Sequence, residues 1–221
     1  MLITKEEFYK ARGETYALDD EEALIRYQNA VRWMTLREGL VVREVGCKFA
    51  VIRDLLDTRA QGADYKAIDI DQATLNRIPR FNAAQFICHD ARAGLPFPDS
   101  SADYILCLEV MEHLERPTDF INEVRRVLKV GGRLILSVPN PYCWMEWLAN
   151  SRREMDIEGH ISTFTYQNVD ALLRFAGLRL LDMQGTFTRV PFSRRARGRY
   201  SLVRTSALLL SRSFMFLVEK P

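Results

Sequence analysis

Three acidic side chains stand at or near the ends of short apolar runs: Glu44 in VVREVG, Asp69 in YKAIDID and Asp90 in FICHD. One carboxylate can take both hydroxyls of a ribose, and another can accept from an adenine amino group, which has hydrogens to donate and no charge to repel. A single Asp after a strand is often only a turn residue or a helix cap, so the recurrence of the pattern is what suggests an adenosine ligand. A second group lies in Glu109-Val110-Met111-Glu112-His113. If a helix opens there, positions i, i+3 and i+4 share a face and offer two carboxylates and an imidazole to one ligand.

The turn after the first run raises a separate question. In VVREVGCKFAVI, Gly46 is followed by Lys48 and Ala50 where further glycines would be expected. Glycine serves such a turn because the backbone approaches a ligand closely and adopts positive φ, where a lysine is uncommon. Strain of order 1–3 kcal/mol would weaken a ligand roughly tenfold to a hundredfold. Alternatively, the loop is remodelled, with Lys48 turned outward and only Gly46 close to the ligand.

These residues need a scaffold that brings strand ends together. Asp19 to Arg37 is apolar at helical spacing and reads as a covering helix. Strands are expected at Val41–Val45, Tyr65–Ile70, Gln85–Cys88, Asp103–Leu108 and Arg133–Val138, and helices at Val51–Asp57, Gln72–Ile78 and Pro117–Leu128. That alternation predicts an α/β fold, a doubly wound parallel sheet with helices on both faces. Its ligands bind outside the carboxyl ends of the strands, near the point where strand order reverses. Helix Tyr166–Ala176, strand Leu178–Met183 and a late strand Ser213–Val218 follow, and the long connection between the last two suggests an antiparallel sheet edge. One domain over residues 1–221 is the expectation, with residues 1–38 as covering helices and 140–160 as a lid on the acceptor side.

Composition narrows the function classes. With 48% apolar and 27% charged residues, the chain is neither disordered nor fibrous. A net charge of +2 argues against nucleic acid as the main partner. The run Arg194-Arg195-Ala196-Arg197-Gly198-Arg199, flanked by Arg189 and Arg204, could meet a phosphate, an anionic headgroup or RNA, but reads first as a solvated loop. Cys47, Cys88, Cys107 and Cys143 form no CxxC pair and read as reduced core thiols. The charged stretch Met1 to Lys10 lacks the order of a signal peptide, so a cytoplasmic location is expected. Leu202–Val218, the most apolar late stretch, is broken by Arg204 and Arg212 and reads as core, without a membrane span.

Taken with their order and spacing, VREVGC, YKAIDID, CHDARAGLPFPDSSADYILCLEVMEHLERPTDFINEVRRVLKVGGRLILSVPN and GHISTFTYQNVDALLRFAGLRLL resemble the class I S-adenosylmethionine-dependent methyltransferases of the small-molecule type. The similarity runs from about Val41 to Leu181, and FMFLVEKP also fits. It implies a Rossmann-like fold with a seven-stranded, mostly parallel sheet, and S-adenosylmethionine as cofactor. The implied cofactor contacts are Glu44 and Gly46 at the methionine end, Asp69 at the ribose and Asp90 with Ala91 at the adenine. Cys47, Lys48, Ile70 and Leu108 stand beside them. Lys48 and Ala50 depart from the family's glycines.

EVMEH also resembles the ExxEH motif of small-RNA 2′-O-methyltransferases and ubiquinone-biosynthesis O-methyltransferases, which implies a divalent cation such as Mg²⁺ on Glu109, Glu112, His113 and His160. An EH pair at this place is widespread in the superfamily without metal. Methyl transfer is an in-line displacement at a sulfonium, so alignment and exclusion of water dominate, and His113 and His160 are the candidate bases. Tyr142, Trp144, Met145 and Trp147 suit a sugar, aromatic or lipid-like acceptor, although an aromatic stripe is more often core. The expected activity is methylation of a small-molecule hydroxyl, less readily of an amine. The alternatives are an RNA-end 2′-O-methyltransferase or a non-catalytic methyltransferase-like scaffold.

Overall fold

The structure is a computed structural model that describes residues 8, 21–60, 62–152, 159–191, 200–208 and 210–221. The arginines at 194, 195, 197 and 199, most of the segment before residue 21 and residues 153–158 of the expected lid lie outside the described residues. In chain order the helices are α1 (Glu21–Arg32), α2 (Val51–Asp57), α3 (Gln72–Leu75), α4 (Pro117–Val127), α5 (Trp144–Ser151) and α6 (Tyr166–Phe175). The strands are β1 (Val41–Val45), β2 (Asp64–Asp69), β3 (Phe86–Cys88), β4 (Ala102–Leu108), β5 (Leu128–Pro139), β6 (Arg179–Gly185), β7 (Phe187–Pro191), β8 (Tyr200–Arg204) and β9 (Ser213–Glu219).

Seven strands form one sheet in the order β3-β2-β1-β4-β5-β9-β6. β3, β2, β1, β4 and β5 are parallel, whereas β9 runs antiparallel to both β5 and β6. The edge pairing is therefore antiparallel, as the long last connection suggests, and the strand that reverses direction lies one place in from the edge. The chain leaves β1 toward β2 and β3 on one side and returns through β4 toward β5 on the other. Strand order reverses between β1 and β4, which is where a parallel sheet opens its ligand crevice.

The sheet is buried on both faces, as parallel strands usually are. Along β4, Ile105 and Cys107 enter one core with Phe120, Ile121 and Val124 of α4 and Val169 and Leu173 of α6. Tyr104, Leu106 and Leu108 enter the other, with Ala30 and Val31 of α1 and Ile52 and Leu56 of α2. This is the two-residue period of a strand, and each such aliphatic side chain contributes about 1.5–3 kcal/mol when fully buried. Pro117 begins α4, where a missing N–H costs nothing, and Phe120, Ile121, Val124 and Val127 present one buried face. All four cysteines are free thiols, only Cys88 being exposed.

Two expectations change. Leu202 to Val218 is not one apolar core stretch: β7 and β8 form a separate two-stranded hairpin within the long connection from β6 to β9. No helix opens at Glu109. Its φ is 58°, in the left-handed region, and residues Met111–His113 make a single 3-10 turn. Among the described residues, no helix is long and apolar enough to cross a membrane.

Candidate active site

The turn after β1 keeps the backbone path that glycines would have given it. Gly46, Lys48 and Ala50 have φ of 74°, 50° and 57°, so the left-handed conformation persists although two of the three carry a side chain. The outward remodelling considered for this loop does not occur in the backbone. Gly46 cannot carry a side chain there: a Cβ would overlap the Cγ2 of Val110 beyond β4. The turn is thus wedged across the point where strand order reverses. Its amides are tied to β2, with Gly46 N donating to the Ile68 carbonyl at 2.9 Å and Lys48 N to Asp69 Oδ2 at 2.9 Å.

Asp69 ends β2 and also accepts from Asp71 N at 3.1 Å through Oδ1. Burial raises its pKa, and the amides of Asp71 and Lys48 oppose that rise by stabilising the ionised form. Ile70 beside it is exposed. His89 N donates to the Asp69 carbonyl at 2.9 Å, so Asp90 follows on the adjoining strand end. Asp90 caps a 3-10 turn, Ala91–Ala93, by accepting from Arg92 N at 2.9 Å. The Arg92 guanidinium also grips it side-on, with Nε 2.9 Å from Oδ1 and 2.7 Å from Oδ2, and Nη2 on Oδ2. This hydrogen bonding holds the Asp90 carboxyl below its ordinary range.

Glu44 is turned inward. It is 1% exposed, and its Oε2 accepts from the Tyr65 hydroxyl inside the core under α1 and α2. Burial drives its pKa up to about 8, against the lowering effect of Tyr65. Tyr65 occupies Oε2 alone, so Oε1 is the oxygen that a methionine-end contact of the kind the resemblance implies would use. Cys47 and Leu108 are also core residues, while Ala91 is half-buried against the other core.

Of the four donors expected to hold a cation, Glu112, His113 and His160 come together, each offering a ligand atom within 4.8 Å of the others. Glu109 does not join them. With no helix to bring i, i+3 and i+4 to one face, its carboxylate is held by Ser137 Oγ at 2.9 Å and Ser213 Oγ at 3.3 Å. One carboxylate and two imidazoles do not suit Mg²⁺, which takes oxygen ligands. The two imidazoles lie with centroids 5.0 Å apart, and His113 Nδ1 is 3.1 Å from the Gly159 carbonyl. A carbonyl only accepts, so Nδ1 carries the proton in that bond. Phe8 packs where a Cβ on Gly159 would sit, and Ile161 N and Ser162 N both donate to the Glu112 carbonyl, at 3.0 and 3.1 Å.

On the acceptor side, α5 follows β5 as the aromatic segment suggests. Trp147 is 69% exposed, and Tyr142 and Trp144 also reach the surface, so they are not core. Arg212 pairs with Glu146 to fasten α5 beside β9. Val110, Tyr65, Ser137 and Ser213 were not legible as site residues, because each acts through a neighbour on another strand. Arg92 was not singled out either, although it stands two residues after an Asp that could cap a turn.

Residues 43–136 match the methyltransferase-domain family. Those residues carry a methyltransferase domain. A probable S-adenosylmethionine-dependent methyltransferase of Mycolicibacterium smegmatis is 29% identical over 150 residues, covering 67% of this chain and 56% of that protein. The 27-O-demethylrifamycin SV methyltransferase of Amycolatopsis mediterranei is 31% identical, covering 72% and 61%. A fatty-acid O-methyltransferase of M. smegmatis is 32% identical, covering 50% and 41%. The chain thus spans about half the length of the curated relatives it matches, and 27% of a bifunctional biotin-biosynthesis protein of Cellvibrio japonicus. The fold of the methyltransferase domain is shared with a solved Thermotoga maritima methyltransferase at a TM-score of 0.68 and 15% identity, covering 98% of each chain. A Haloferax volcanii methyltransferase solved with its Trm112 activator has a TM-score of 0.73 at 16% identity, covering 96% and 94%.

Proposed function

We propose that this methyltransferase moves the sulfonium methyl of S-adenosylmethionine to a hydroxyl of a small molecule, with a natural-product, sugar or lipid precursor as acceptor class. The observation that carries the reading is the first turn. It holds left-handed backbone at Lys48 and Ala50, where that conformation is costly, and ties itself to Asp69 through the Lys48 amide. A strained path kept at a strand end marks a binding turn. In this reading the backbone of that turn lies along the methionine end, Asp69 takes the ribose hydroxyls, Ile70 lies against the base, and Asp90 accepts from the adenine amino group.

His113 is oriented by the Gly159 carbonyl, and its imidazole is the first candidate to take the acceptor's proton as the oxygen–methyl bond forms and the carbon–sulfur bond breaks. The sulfonium gives up its positive charge as the proton passes to imidazole, so charge is conserved. His160, whose ring lies tilted beside it, is the second candidate. The cluster does not suit Mg²⁺, because Glu109 is withdrawn from it and two of the three remaining donors are imidazoles. Tyr142, Trp144 and Trp147 give the acceptor side an apolar, aromatic surface. The antibiotic and fatty-acid acceptors named for the relatives have the same character.

Titration calorimetry with S-adenosylhomocysteine tests the reading. The wild-type chain is expected to bind it and to be stabilised by about 2.7 kcal/mol at a hundredfold excess over Kd, and Asp69→Asn to bind at least about tenfold more weakly. Neither heat nor thermal stabilisation at millimolar ligand would leave a non-catalytic scaffold in its place.

A further inference from the structure

Among the described residues, Glu109 is held by hydroxyls and pairs with no lysine, arginine or histidine. Its left-handed backbone sends the side chain away from Glu112, His113 and His160 and over the ends of the neighbouring strands. There Ser137 Oγ of β5 donates to Oε1 at 2.9 Å, and Ser213 Oγ of β9 donates to Oε2 at 3.3 Å. Ser137 Oγ in turn accepts from Glu109 N at 3.1 Å, which closes side chain and backbone into one ring. Both serines are fully buried whereas Glu109 is half-buried, so the hydroxyls hold the carboxylate from beneath. Each oxygen keeps acceptor capacity, since a carboxylate has about four lone-pair positions.

The next residue, Val110, is the one whose Cγ2 fills the space at Gly46, so Glu109 adjoins the contact between the first turn and β4. That contact lies where strand order reverses, between β1 and β4. We propose that Glu109 is a cofactor-binding residue that reads the charge at the transferring sulfur, holding the sulfonium of S-adenosylmethionine in preference to the neutral thioether left after transfer. The inference rests on the adenosyl reading above and deepens it. Methyl transfer removes one positive charge from the sulfur, so a carboxylate facing it binds the substrate form more tightly than the product form. Attraction between unit charges is several times stronger near a protein surface than in bulk water. A half-buried carboxylate without a cation of its own therefore discriminates between two ligands that differ by one charge. Such a preference favours exchange of spent cofactor for fresh. A neutral side chain at the same place would bind both forms alike.

Titration calorimetry measures the affinity of the wild type, Glu109→Gln and Glu109→Asn for S-adenosylmethionine, S-adenosylhomocysteine and sinefungin, in which a carbon bearing an ammonium replaces the sulfonium, with melting curves for each chain. Glutamine keeps the shape of the side chain, and asparagine tolerates left-handed backbone, so at least one neutral variant is expected to melt as the wild type does. The wild type is expected to bind the two cationic ligands at least about tenfold more tightly than S-adenosylhomocysteine. In the neutral variants that preference falls to about threefold or less, while affinity for S-adenosylhomocysteine stays within about threefold of the wild type. An unchanged preference in these variants overturns the inference. So does an equal loss for all three ligands, which would make Glu109 a support for the strand ends, or a wild type that binds all three alike. Failure of the wild type to bind any of them refutes the adenosyl reading instead.

Discussion

Glu44 shows how one buried residue can write itself into the stability of the whole chain. Its carboxyl sits in an apolar core with Tyr65 as hydrogen-bond partner and Cys47 and Asp69 as charged or ionisable neighbours, and its pKa rises from 4.5 to about 8. Below pH 4.5 it is protonated in both folded and unfolded chains. Between 4.5 and 8 the folded chain keeps the proton while the unfolded chain loses it, so the folded state binds more protons and stability falls as pH rises. With about 1.4 kcal/mol per pKa unit, the fall amounts to roughly 3–5 kcal/mol across that window. Glu44→Gln keeps an oxygen for the Tyr65 hydroxyl and cannot ionise. Thermal melts from pH 5 to pH 8 are expected to show the wild type losing stability relative to Glu44→Gln. Parallel curves would mean that the carboxyl is already ionised in the fold.

At the scale of one element, the turn between β1 and α2 carries the clearest conflict between sequence and backbone. Lys48 occupies left-handed space at a cost of about 1–2 kcal/mol, partly offset by the entropy that a glycine would lose there. Lys48→Gly is therefore expected to stabilise the chain by about 0.5–1 kcal/mol and to raise Tm by about 1–4 °C. Lys48→Ala, which shares the backbone penalty, gains nothing. Equal gains in both variants would trace the effect to the lysine side chain rather than to φ. The same turn marks the limit of what the sequence discloses. The strands that end at or beside Glu44, Asp69 and Asp90, and the helices between them, were legible because buried parallel strands read as apolar runs and amphipathic helices repeat every three to four residues. Glu109 was not, since a single left-handed residue there replaces a helix by a 3-10 turn and sends its carboxylate to Ser137 and Ser213. Glu44 and Tyr65 lie on one face only once β1 and β2 are in register, with Val42 opposite Tyr65 and Glu44 opposite Ala67. The β7–β8 hairpin escaped notice because its strands flank an arginine-rich run that dominates the local composition.

Across the whole molecule that hairpin joins two distant parts of the chain. It leaves the sheet after β6, returns to it at β9, and meets α1 through Arg189 on Glu22 and Arg204 on Gln28 and Asn29. Phe187 at its root is fully buried, and Arg212 N donates to the Phe187 carbonyl at 2.7 Å, so the hairpin is anchored at its base and pinned along its length. Both ends of the Arg189–Glu22 pair keep part of their solvent, at 31% and 21% of the side chain, so severing it costs global stability less than about 1 kcal/mol. Its local effect is larger, because this pair and the Arg204 bonds to Gln28 and Asn29 tie β7 and β8 directly to α1. In Glu22→Gln combined with Arg204→Ala, amide exchange is expected to quicken about tenfold in α1, β7 and β8 together, while β4 and β5 exchange at the wild-type rate. Faster exchange in the hairpin alone would show that α1 is held by its buried Tyr27, Ala30 and Val31 without help from the hairpin. Uniform quickening through the central strands would instead place these contacts within the global unfolding unit, making the link between the early helix and the late hairpin a determinant of the fold.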